Sequence, residues 1–169
     1  MDVFAIKQKA DLLNQEGRKK EALELYEEAI KLRPQYWGAH YEKAGILLDL
    51  GNVLEAANSF FISWLHSRYR KEPGLMCARS LALGQLYLDA ISIFEKIPLK
   101  EMDLQSLVIY AESLRREGRV RDAAKLIQQC TPIADAMYYQ VLGAIEFDMG
   151  RLEAAEDYLK MAEPFDETG

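Results

Sequence analysis

One small residue returns along this chain at nearly fixed intervals: Ala10, Ala44, Ala78, Ala111 and Gly143 stand 34, 34, 33 and 32 residues apart. A second series, Ala22, Ala56, Ala90, Ala123 and Ala155, keeps the same intervals, and a third sets a bulky apolar residue at Tyr26, Phe60, Phe94, Ile127 and Leu159. Turn glycines mark the beat at Gly17, Gly51, Gly118 and Gly150, with Gly84 one place early in the third period. Such a period makes each repeat one supersecondary unit that cannot bury its apolar face alone. Neighbouring units complete the core.

Each period reads as two helices and a tight turn. Ile6, Ala10 and Leu13 share one helical face before Gly17, and Ala22, Leu25, Tyr26 and Ala29 share another after it. Gly51 and Gly118 suit the left-handed residue that commonly ends a helix. The five prolines, at positions 34, 73, 98, 132 and 164, fall where a second helix must stop before the next unit. The pattern predicts helices over roughly 3–16, 18–32, 36–49, 53–70, 73–83, 87–96, 103–116, 120–130, 134–148 and 152–163. No segment alternates apolar and polar residues as a half-buried strand would, so the chain reads as all-α. The paired small residues let two antiparallel helices approach closely, with Ala10 facing Ala22 or its neighbours, and the bulky residue four places on fills the space toward the next unit.

The series Ala10, Ala22, Tyr26, Ala29, Pro34 resembles the tetratricopeptide repeat. Trp37 through Ala44, Leu47, Gly51, Ala56 and Phe60 resembles a second copy, and Leu142, Gly143, Gly150, Ala155 and Ala162 a fifth. Units three and four depart from it: Gln85 holds the usual glycine position, and Ile97 and Cys130 replace the late alanine. The resemblance implies a right-handed α-solenoid forming a single domain over residues 1–169, with units at about 3–36, 37–70, 71–103, 104–135 and 136–169.

Composition narrows the function. No run approaches the roughly 18 apolar residues of a membrane span, and the N-terminus lacks a basic stretch followed by an apolar one, so a cytoplasmic location is expected. The net charge of −6 lies entirely in residues 136–169, where eight carboxylates face only Arg151 and Lys160. An acidic chain without a long basic stripe is a poor candidate for nucleic acid. The acidic end reads as a solvated face in preference to a dock for a basic partner.

Chemistry is sparse. His40 and His66 are not at metal-site spacing, no Cys-x-x-Cys occurs, and no phosphate loop or nucleophile elbow is present. Cys77 and Cys130 read as reduced, inert thiols on apolar faces. The cluster from His66 to Lys71 reads as cations at a helix C-terminus in preference to an anion-binding patch. No catalytic, metal or cofactor site is expected, and the chain is expected not to be an enzyme.

By the resemblance, the first helices line a concave groove that receives an extended peptide or a helix. Its expected residues are Lys7 and Asp11 in unit one, Tyr41 and Glu42 in unit two, and Leu75, Met76 and Arg79 in unit three. Unit four supplies Val108, Glu112, Arg115 and Arg116, and unit five Gln140, Val141, Ala144 and Phe147. Leu75, Met76 and Val108 can equally be read as packing on neighbouring helices. The family's clamp for acidic chaperone tails is not matched, because Asp11, Glu42, Glu72 and Met76 replace its asparagines, lysine and arginine. Carboxylates there would repel a carboxylate tail. The expected function is a protein-interaction scaffold or adaptor with a protein or peptide partner. Alternatives are the tetratricopeptide arm of a larger enzyme, such as a transferase, and an assembly or secretion chaperone. The apolar last helix, with Leu152, Tyr158 and Leu159, suggests a continuing array, self-association through the terminal repeats, or a cap folded back at Pro164 and Phe165.

Overall fold

The computed structural model describes residues 2–130 and 135–166. Among them are ten α-helices and no strand: α1 (Val3–Gln15), α2 (Lys19–Leu32), α3 (Trp37–Asp49), α4 (Val53–His66), α5 (Lys71–Leu83), α6 (Tyr87–Phe94), α7 (Leu104–Arg116), α8 (Val120–Ile127), α9 (Ala136–Asp148) and α10 (Leu152–Asp166). A 3-10 turn at Leu99–Glu101 precedes α7. None of the helices is long and apolar enough to cross a membrane. The chain forms two compact units, residues 1–89 and residues 90–169.

In residues 1–89 each helix from α1 to α4 packs on the next. The small-residue series lies at the closest contacts, with Ala10, Ala22, Ala44, Ala56 and Ala78 all fully buried. The bulky series fills the gaps between them: Tyr26 and Phe60 are at most 1 % exposed. Tyr26 is tolerated at this depth because its hydroxyl donates to Asp11 at 2.7 Å.

In residues 90–169, α7 packs on α8 and α9, and α9 on α10. Phe94 is fully buried and stacks on Tyr110 with centroids 4.9 Å apart. At Gly143 an added Cβ would lie 2.9 Å from Leu159 Cγ and 3.2 Å from the Ala155 carbonyl oxygen, so this crossing takes glycine where the other units take alanine. Leu159, the last of the bulky series, is 47 % exposed.

The inter-helix turns share one device. Gly17, Gly51, Gly118 and Gly150 are left-handed, with φ from 74 to 80°. The next N–H reaches back to close the helix, as Asn52 N to Leu47 O at 2.8 Å and Arg119 N to Leu114 O at 2.8 Å. In the third unit Gly84 stays right-handed at φ −77° and Gln85 takes the left-handed place at φ 63°. The register of the beat is preserved, and an ordinary side chain bears the strain.

Several helix ends differ from the sequence expectation. α4 stops at His66 instead of running to about residue 70, because Arg68 and Tyr69 turn left-handed at φ 60 and 62° and Tyr69 N bonds back to Trp64 O. No glycine announces that stop. α6 and α8 are eight residues each, shorter than expected. Pro73 sits in the first turn of α5, where its missing N–H costs nothing. α10 runs past Pro164 to Asp166, so the cap folded back at Pro164 and Phe165 does not form. Pro132 lies outside the described residues.

Candidate functional site

In residues 1–89 the expected groove positions are divided between partners and core. Lys7 Nζ lies 2.8 and 2.7 Å from the two Asp11 carboxylate oxygens, one of which also accepts from Tyr26. Lys7 is therefore already engaged and is no free anchor for a carboxylate tail. Glu42 is half-buried, and burial pushes its carboxyl up, with nearby Asp11 adding to the shift and Lys7 opposing it. Tyr41 is half-buried and packs edge-on against Phe60 at 5.4 Å. Met76 and Arg79 are half-buried, whereas Leu75, at 6 % exposure, belongs to the core.

In residues 90–169 the expected positions are drawn together more tightly. Glu112, Arg115 and Arg116 of α7 and Met137, Gln140, Val141 and Ala144 of α9 line one depression of about 280 Å³. Its charges form a fixed cluster. Arg115 donates to both Glu112 oxygens at 2.8 Å and to Asp148 at 2.7 Å, while Arg116 donates to Glu112 at 2.6 Å. Burial alone would raise the Glu112 carboxyl, but the two guanidiniums outweigh it and hold it below the usual carboxylate range. Arg115 is pinned across α7 and the end of α9. Arg116 keeps a side chain 53 % exposed and can reach a ligand. Val108 is buried at 3 % and underlies the surface. Phe147 is 62 % exposed but does not line the depression.

The sequence reading missed a second concavity. The short α6 and α8 leave a pocket of about 420 Å³ floored by Phe94, Tyr110, Leu114 and Leu126 and walled by Ile97, Pro98 and Leu99. Arg119 bridges its rim, bonded to Glu95 at 2.9 Å and Asp122 at 3.0 Å. Ile97 in place of the usual late alanine is the one signal that could have pointed to it.

Elsewhere the chemistry is quiet. Both cysteines are buried, and burial alone pushes the Cys77 thiol up to about 12 and raises that of Cys130. His40 is buried with Nε2 2.8 Å from the Pro34 carbonyl oxygen, and His66 is exposed at the end of α4. Tyr69 packs edge-on against Trp64 at 5.1 Å, and the Arg70 guanidinium lies 5.2 Å over Trp37, so part of the basic–aromatic cluster is consumed locally. No group of three potential metal ligands occurs among the described residues.

Comparison with known proteins places the fold. Residues 8–69 match the tetratricopeptide repeat family. No curated protein sequence matches the chain. Among solved structures, YrrB, described as a tetratricopeptide protein with an unusual peptide-binding site, is similar at 18 % identity and a TM-score of 0.84, covering 99 % of this chain and 88 % of that one. A crystal structure of MamA is similar at 16 % identity and a TM-score of 0.83, covering 98 % and 92 %. MamA from Desulfovibrio magneticus RS-1 is similar at 13 % and 0.82, covering 98 % and 96 %. At such identities the likeness establishes a shared all-α solenoid fold.

Proposed function

We propose that this chain, a tetratricopeptide-repeat array of about five units, is a non-catalytic protein-interaction scaffold that works as one domain and binds a peptide or helix on its first-helix face. The observation that carries the reading is the α7–α9 depression. It combines an apolar floor at Val141 and Ala144, an adaptable rim at Met137 and Gln140, and a partly exposed guanidinium at Arg116. Such a site suits a short amphipathic segment carrying a carboxylate beside an apolar side chain. The peptide-binding site named for YrrB supports the same class of ligand.

The larger α6–α8 pocket favours a second reading, in which the anchor side chain enters there and the ligand lies across the second helices. Selection of peptides from a displayed library on the full chain separates the two. Binding should be roughly micromolar, since a short peptide buries less than a standard interface and must be ordered on docking. Arg116→Glu and Met137→Glu should each weaken it about tenfold. Loss through Lys125→Glu and Gln129→Glu alone would favour the α6–α8 pocket. Failure to select any peptide would count against a peptide-binding scaffold altogether.

A further inference from the structure

The turns of units two and three present leucine to solvent where the other units present charge. Leu50, Leu54, Leu83, Leu86 and Leu88 are 46, 54, 65, 41 and 65 % exposed. The place held by Leu54 and Leu88 belongs to Lys20, Arg121 and Glu153 in units one, four and five, and that of Leu86 to Arg18, Arg119 and Arg151. The fold therefore does not require an apolar residue at these positions. The two turns are also brought together: an added Cβ on Gly84 would lie 2.6 Å from Leu54 Cδ2, so Leu54 of the second turn rests on the third. Together they expose roughly 500 Å² of apolar surface, near the upper end for the largest patch on an ordinary monomer.

We propose that this leucine edge is a self-docking surface on which two copies of the chain meet about a two-fold axis. Such an interface sets each patch against itself, so any uncompensated charge would face its own copy. Between the leucines there is little to face, the exposed carboxylates Glu55 and Asp89 standing just past Leu54 and Leu88. Residues 83–88 carry no charged side chain, and Asp49, the one carboxylate in the second-turn stretch of residues 49–54, is neutralised by Lys19 at 2.8 Å. The area fits as well. A stable interface buries about 800 Å² on each partner around an apolar centre, and the five leucines supply that centre with a polar rim left to add.

Sedimentation equilibrium of the full chain from about 1 to 200 μM tests it. The mass should rise from 19.3 kDa toward twice that value. Leu54→Glu with Leu88→Glu should weaken association at least 100-fold with an unchanged helical circular dichroism spectrum. If that variant misfolds, Leu54→Lys with Leu88→Lys uses the residue that unit one carries there and should give the same loss. Leu152→Glu, at an exposed leucine of the fifth turn, should leave association intact. A wild-type chain that is monomeric throughout leaves the edge to a foreign partner and overturns the proposal. So does association that survives both double variants, or that is lost on Leu152→Glu, which would place the contact in the terminal repeat.

Discussion

Gln85 occupies a backbone position that four other turns give to glycine, at a φ of 63°. Its Cβ carries a left-handed strain of about 1 kcal/mol that glycine would not. Gln85→Gly should therefore stabilise the chain by about that amount, read as a higher urea midpoint at constant slope. A lower midpoint would mean the glutamine side chain repays its strain. His40 gives the chain a pH dependence. Burial pulls its imidazole below the ordinary value, with His66 and Lys43 acting in the same direction and the bond to the Pro34 carbonyl opposing them. The folded state thus takes up the proton less readily than the unfolded one. The stability held by neutral His40 is complete above about pH 6.5 and is lost as pH falls from there toward the depressed folded value. Unfolding free energies at pH 7.5 and 5.5 should differ less in His40→Gln than in the wild type. At this scale the glycines were legible because only one residue type suits their conformation. The left-handed Arg68 and Tyr69 were not, since nothing in their chemistry marks a stop.

Helix pairs are where small residues act. Ala56 is fully buried between α3 and α4, and Ala56→Leu should force the pair apart at a cost of about 1–3 kcal/mol. Gly143→Ala adds one methyl against Leu159 and the Ala155 carbonyl. Leu159 can turn aside but the carbonyl cannot, so α9 and α10 must separate. The expected loss is about 1–2 kcal/mol, measured by thermal or urea unfolding. An unchanged midpoint in either variant would contradict the close-packing account. The repeating alanines and aromatics were readable because they recur wherever the same crossing recurs. The shortness of α6 and α8 was not, because Glu95 and Gln128 to Cys130 are compatible with more helix. The pocket between those two helices escaped notice for that reason.

At the scale of the molecule, the all-α repeat fold follows from the period, while the proposed binding surface depends on what each side chain already bonds to. Lys7, Asp11 and Arg115 read as open groove charges in sequence, yet each is held by partners within the chain. Sequence spacing gives the face a residue lies on and says nothing of what already bonds to it. In the proposed reading the partner meets Met137, Gln140 and Ala144 in the α7–α9 depression together with Arg116, which is bonded to Glu112 but keeps its side chain 53 % exposed. The most direct test is to titrate a selected peptide into the isotopically labelled full chain and map the perturbed backbone amides by NMR. The scaffold account expects the largest shifts at Glu112 to Arg116 and Met137 to Ala144. Shifts confined to Glu95, Arg119, Lys125 and Gln129 would place the ligand in the α6–α8 pocket and contradict it.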